Sequence, residues 1–267
     1  MKNIFRIAES CLFQASIPEK LLHTHQAWRY CEDDLLSYES VDTPKTIEAT
    51  QFPDKPRLLS PKQMPRRQLT TPEGLAAFFH ALAHIEFVAI YLAWDIIYRF
   101  RGLPNEFYRD WLRVADEESQ HFTLLSDHLA TLGYDYGDLP AHGGLWDHAH
   151  DTRYDLLARL AIVPRCLEAR GLDVTPAMIE KLEALGHADG VAILTRILND
   201  EVGHVQLGSK WFDYQCRQQS LDPCETYKKL INHYFKGKPK GPFNREMRII
   251  AGFSDAELDW LEYEQKQ

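Results

Sequence analysis

Residues 116–121 read Asp-Glu-Glu-Ser-Gln-His, and residues 199–204 read Asn-Asp-Glu-Val-Gly-His. Each holds one Glu-x-x-His, Glu118 with His121 and Glu201 with His204. On a helix, residues three apart share a face, so a carboxylate and an imidazole can address one metal ion. With 19 glutamates and 12 histidines in 267 residues, composition alone supplies about one such pair. Two copies therefore decide nothing by themselves, and their surroundings carry the weight.

A ferritin-like two-metal site draws one glutamate from each of two helices and a Glu-x-x-His from each of the other two. Glu86 precedes Glu118 by 32 residues and Glu168 precedes Glu201 by 33, so the two halves repeat the same ligand placement. The full set is Glu86, Glu118, His121, Glu168, Glu201 and His204. Glu86 shares its helical stripe with Phe79, Leu82, Ile90, Ala93 and Ile97, and Glu118 with Trp111, Val114, Ala115, Phe122 and Leu125. Glu201 sits among Leu194, Ile197, Leu198, Trp211 and Phe212. A carboxylate on a core stripe costs several kcal/mol or turns neutral unless a charge offsets it. Carboxylates that can converge in one bundle call for cations, and two transition-metal ions supply them. Carboxylate-rich ligation suits iron first, with manganese or a mixed manganese–iron pair as alternatives.

The pattern around these residues is helical, without alternating strands or hairpin signals. Four long stretches are predicted. The first runs from the Thr71-Pro72-Glu73 start to about residue 100, and the second from about 104 to 132, before Gly133. The third runs from about 151 to 170 and ends at Gly171. Thr175-Pro176 opens a short helix, and the fourth long stretch spans about 187–219. Residues 133–150, with four glycines and one proline, form a long crossover between the second and third helices. Two helical pairs joined by one long crossover is ferritin-like wiring. The expected fold is thus an all-α, ferritin-like four-helix bundle over 71–220. It carries an N-terminal arm (1–70) and a C-terminal helical tail (221–267), all in one domain. Ser16 is a candidate N-cap before Pro18, and prolines between 42 and 72 make an extended, locally basic arm with Lys55, Arg57, Lys62, Arg66 and Arg67. The tail holds Lys236, Lys238 and Lys240 and a helix from Ser254, with Glu257 at the capping-box position.

Composition narrows the function classes. A net charge of −9 argues against an extended nucleic-acid footprint. Residues 75–100 are apolar enough to imitate a membrane span, but His80, His84, Glu86 and Asp95 fall inside them. A mid-membrane Asp costs about 3 kcal/mol, so this is a core helix and no membrane partner is expected. Five scattered cysteines without a Cys-x-x-Cys fit a reduced, cytoplasmic setting, and the N-terminus shows no secretory signal.

Other residues carry weaker signals. His80 and His84, four apart, lack an evident third ligand and read as structural; His142, His148 and His150 fall in the solvated crossover. Pro164, one turn before Glu168, predicts a kink or bulge. Arg165 and Arg170 either anchor an acidic group near the site or pair with surface acids. Tyr91, Trp94 and Trp111 read as core.

The His84-Ile-Glu86 pattern, Asp116 to His121, Pro164 to Asp173, Asn199 to His204 and the Pro242-Phe243-Asn244 tail together resemble the bacterial ferritin-like family known as domain-of-unknown-function family four-fifty-five, over most of residues 10–260. More distantly, the arrangement is similar to tRNA-modifying di-iron hydroxylases and bacterial multicomponent monooxygenases. In the monooxygenases an Asp before each Glu-x-x-His orients a ligand histidine. Asp200 matches that position, and Glu117 stands there in the other copy. The family brings no settled activity with it; the function expected comes from the site, since two carboxylate-held metals can activate dioxygen: an O2-dependent oxidoreductase or hydroxylase that takes a small or nucleotide-like substrate and an electron donor. The alternatives are an iron-handling ferroxidase or storage protein, and a tRNA-modifying hydroxylase using the basic arm with Lys236, Lys238 and Lys240.

Overall fold

The computed structural model describes residues 1–13, 16–40, 42–47, 52–65, 67–235 and 239–266. Of the basic positions above, Arg66, Lys236 and Lys238 lie outside the described residues. The fold is all-α, as expected. The chain divides into two compact units, Met1–Gly143 and Gly144–Gln267, at a boundary inside the predicted crossover.

The first unit is a helical bundle built on a hairpin. Helices α1 (Ile4–Phe13) and α2 (Ile17–Glu32) precede the hairpin helices α3 (Pro72–Arg99) and α4 (Asn105–Thr131). α3 begins where the sequence predicts: the Thr71 hydroxyl accepts from the Gly74 N–H, and Pro72 takes the first position. Gly102 and Gly133, at φ of 74° and 82°, stop α3 and α4, since a left-handed residue ends a helix at little cost only when it lacks a Cβ. α3 packs along α4, α1 covers α3, and α2 covers α4. Ser16 stands at the N-cap of α2, but its side chain makes no capping hydrogen bond. Among the described residues α3 is the one helix long and apolar enough to cross a membrane. Most of it is buried in protein, with His80, His84, Glu86 and Asp95 among the buried side chains.

Two parallel bridges add to this unit. β1 (Lys2–Asn3) pairs with β2 (Leu36–Ser37), and β3 (Leu58–Leu59) pairs with β4 (Ala141–His142). The basic arm is therefore held at β3 and by a 3-10 turn at Pro61–Gln63 instead of being extended throughout. The chain after α4 folds back on α3: His80 Nε2 accepts from the Gly137 N–H at 3.0 Å, and His84 Nδ1 lies 2.8 Å from the Tyr136 hydroxyl. Those bonds give both histidines the structural role expected of them.

The second unit departs from the sequence expectation at two places. The predicted loop carries a helix, α5 (Gly144–Asp151), with Trp146 and Ala149 buried and His148 stacked on Phe235. The third long helix neither starts at 151 nor ends at Gly171. It runs as α6 (Leu156–Ile162), a π-helical stretch Val163–Glu168, and α7 (Ala169–Ala184), straight through Gly171 and Pro176. The bulge predicted at Pro164 is the π-helix, the form a helix takes when a ring blocks the regular i−4 bond. Pro176 is tolerated because the Leu172 carbonyl it leaves without an i+4 donor accepts from Asn244 Nδ2 at 3.3 Å. α8 (Ala188–Gln218) is the fourth long helix. The tail forms α9 (Pro223–Tyr234), α10 (Arg245–Ile250) and α11 (Asp255–Lys266). The Ser254–Glu257 capping box closes as predicted, with Glu257 Oε2 accepting from the Ser254 N–H at 2.9 Å.

The core of the second unit holds a cation. Arg165 on the π-helix is 1% exposed, donates to both oxygens of Glu257 at 2.9 and 3.0 Å, and lies under the rings of Phe212, Tyr227 and Phe253. Arg170 pairs with Asp173 at 3.5 Å. Of the two alternatives for these arginines, pairing with acids holds, though Glu257 and Asp173 are buried and not surface acids. Tyr91, Trp94 and Trp111 are core residues, and all five cysteines are free thiols.

Candidate metal centre

Glu86 on α3 and Glu118 and His121 on α4 come together inside the first unit. They are 6%, 1% and 0% exposed, so all three are removed from water. His121 Nδ1 lies 3.4 Å from Glu118 Oε2 and 3.8 Å from Glu86 Oε2. One potential ligand atom from each lies within 4.8 Å of the others, close enough for a single ion. The apolar stripes do the placing: Phe79, Ile90, Ala93 and Ile97 on α3, and Trp111, Val114, Ala115, Phe122 and Leu125 on α4, are all buried. Leu82, expected on the same stripe, is half-buried. A glutamate in step with these neighbours has nowhere to point except inward.

Electrostatics there are unfavourable without a cation. Burial, reinforced by the neighbouring Glu118 charge, holds the Glu86 carboxyl well above the ordinary carboxylate range, and the His121 hydrogen bond opposes this only in part. The donor set fits a metal: two carboxylates and one imidazole, converging, dry, and short of positive charge. This buried group could hold a metal ion.

The second unit repeats the motif. On α8, His204 Nδ1 lies 3.4 Å from Glu201 Oε1, the same separation as His121 from Glu118. His204 is fully buried and Glu201 is 9% exposed. Their stripe neighbours Leu194, Ile197, Leu198, Trp211 and Phe212 are buried as expected. Glu168 is the last residue of the π-helix, half-buried, with Oε2 shielded from solvent.

The two proposed orienting carboxylates have pairings one turn back along their helices. Asp200 accepts from Arg196 Nε at 3.0 Å, and Glu117 from Arg113 Nε at 2.8 Å. Sequence reasoning passed over Asp116, which is 6% exposed, lies 2.5 Å from His25 Nδ1 and accepts from Gln120 Nε2 at 2.9 Å. It anchors α2 to α4 two residues before Glu118. Only the placement of His25, 91 residues away, distinguishes it from a surface acid. Tyr136 was also missed, because its bond to His84 spans 52 residues.

A protein from Haemophilus influenzae, described as an uncharacterized protein, is 48% identical over 223 residues, covering 81% of this chain and 77% of that relative. No solved structure matches the chain. The model of the family described as "Protein of unknown function (DUF455)" matches residues 13–259, and the chain belongs to that family.

Proposed function

We propose that the chain is a di-metal carboxylate protein of ferritin-like type, in which Glu86, Glu118, His121, Glu168, Glu201 and His204 together hold two transition-metal ions, iron first. The observation that carries this is the buried Glu86–Glu118–His121 group, whose carboxylates repel each other when ionised unless a cation stands between them. The repeated Glu-x-x-His separation on α4 and α8 supports a matching second half.

The function we infer is an O2-dependent oxidation or hydroxylation of a small organic substrate, with electrons from a donor protein. Bound iron would supply redox chemistry with dioxygen. The chain's own residues do the rest. Glu86 releases the proton that burial favours when a cation arrives, and His121 and His204 bind as neutral imidazoles. The buried Phe122, next to His121 on α4, helps to keep water from that half of the site. Helices α1, α2 and α9 to α11 are additions that a bare storage bundle does not need, which favours an enzyme over an iron store.

Iron-replete protein purified without oxygen tests the proposal by elemental analysis, followed by spectroscopy of the metal on exposure to O2. About two irons per chain that change spectrum with O2 are expected. One zinc or no metal in folded protein rejects it. Many irons per chain in a large assembly would indicate storage instead. Salt-sensitive tRNA binding through Lys55, Arg57 and Lys62, all exposed, would narrow the substrate to RNA.

A further inference from the structure

A cavity of about 370 Å³ opens in the second unit, apart from the Glu201–His204 pair. Its floor is Cys166 and Leu167 of the π-helix, and its walls are the rings of Tyr227, Phe235 and Phe243. Three cations line it, Arg170, Lys240 and Arg248, and no carboxylate does among the described residues. The volume is at the small end of ligand pockets, which run roughly 300–1,000 Å³.

The charges there are only partly spent. Arg248, 2% exposed, gives Nε and Nη2 to Asp173 at 2.9 and 2.7 Å and shares Nη2 with the Ala169 carbonyl. Arg170 donates to the Pro242 and Gly241 carbonyls and pairs with the same Asp173. Asp173 also accepts from the Asn244 N–H at 2.9 Å, so one carboxylate serves both arginines. One negative charge against three positive ones leaves the cavity electropositive. The Cys166 thiol, pushed up to about 12 by burial, stays neutral there and acts as a wall.

We propose that this cavity binds a small organic carboxylate with an aromatic body, its head toward Lys240 and Arg248 and its ring between Tyr227, Phe235 and Phe243. A cationic ligand would meet three like charges. A neutral one would leave the excess charge unanswered, and a bare anion would leave three aromatic walls without a contact. None of the residues that line it belongs to the metal-centre proposal.

Fluorine NMR on the full-length protein tests this with two probes, 4-fluorobenzoate and 4-fluorobenzyl alcohol, and with inorganic phosphate as a competitor. Saturable 4-fluorobenzoate binding, about tenfold tighter than the alcohol, is expected. Phosphate should fail to displace it at equal concentration. Lys240→Gln, on an exposed side chain that cannot unfold the protein, should weaken binding about fivefold. Leu167→Trp should abolish it by filling the cavity, with an unchanged circular dichroism spectrum confirming the fold. Equal affinity for acid and alcohol would overturn the proposal, as would displacement by phosphate alone. So would unchanged binding in Lys240→Gln, or no saturable binding at all.

Discussion

The Pro164 ring occupies the space that a side chain on Gly208 would need. A Cβ placed on Gly208 would lie 2.5 Å from Pro164 Cβ and 2.6 Å from its Cγ, both well inside van der Waals contact. The π-helix that ends in Glu168 can therefore lie this close against α8 only because position 208 is bare.

Gly208→Ala carries an overpacking cost of about 1–3 kcal/mol against the roughly 1 kcal/mol gained from replacing a helical glycine, so a net destabilisation of up to about 2 kcal/mol is expected. Gly171, inside α7, has no atom within 4 Å of an added Cβ. Gly171→Ala should therefore stabilise by about 1 kcal/mol. Urea unfolding of both variants checks the pair. Stabilisation by both would mean that Pro164 and α8 are not in contact.

Asn244 serves two carbonyl and amide groups at once. Its side-chain oxygen accepts from the Met247 N–H at 3.2 Å to cap α10, and its Nδ2 donates to the Leu172 carbonyl left over by Pro176. Asn244→Ala should cost about 1–3 kcal/mol. In a Pro176→Ala background, which restores an amide donor to Leu172, the same substitution should cost about 1 kcal/mol less. A double-mutant cycle measures this coupling, and a coupling of zero would mean that Asn244 does not substitute for the missing helical donor.

Glu118→Ala and Glu201→Ala should each abolish metal pairing while the helical content is kept, because each removes a buried carboxylate from an apolar stripe. Elemental analysis with far-ultraviolet circular dichroism reads both. Metal-loaded wild type should melt several degrees above the metal-free form. With free metal at 100 times the dissociation constant, one site adds about 2.7 kcal/mol. Unaltered metal content in both variants would remove these residues from the ligand set.

His80 gives a pH dependence whose sign follows from burial. Desolvation lowers its pKa from 6.5 to about 4, so the folded state keeps it neutral where the unfolded state takes up a proton. The unfolded state then binds more protons between about 6.5 and 4, and stability falls as pH falls through that window. His80→Gln, which retains an acceptor for the Gly137 N–H, should lose that part of the fall. Urea midpoints at pH 7.5 and 5 for both proteins test it: equal losses would mean that His80 is protonated in the fold.

Most of this was legible in the sequence where the determinants are local. Thr71-Pro72, Gly133 and Ser254–Glu257 set helix ends within a few residues, and the stripes around Glu86, Glu118 and Glu201 gave the inward face. Pro164 announced an irregularity, and the π-helix is its form. The continuation of α7 through Gly171 and Pro176 was not legible, because the group that rescues it, Asn244, lies 72 residues from Leu172. The helix in the crossover was missed because the glycines and proline ahead of it, Gly133, Gly137, Pro140, Gly143 and Gly144, outweigh the short apolar signal of Trp146 and Ala149. Asp116 and Tyr136 drew no reading, and Glu257 was read only as a capping-box residue, because their partners His25, His84 and Arg165 lie 91, 52 and 92 residues away.

The Arg165–Glu257 pair also sets an order of events during synthesis. The two residues are 92 positions apart, and a guanidinium surrounded by Phe212, Tyr227 and Phe253 has no buried counter-charge until Glu257 has been made. The α3–α4 hairpin with α1 and α2 is complete long before that point and can close while translation continues. The half carrying Glu168, Glu201 and His204 must wait on the ribosome with an open core. Slowed elongation or early termination between residues 165 and 257 would therefore expose that half, and not the first, to chaperones and proteases.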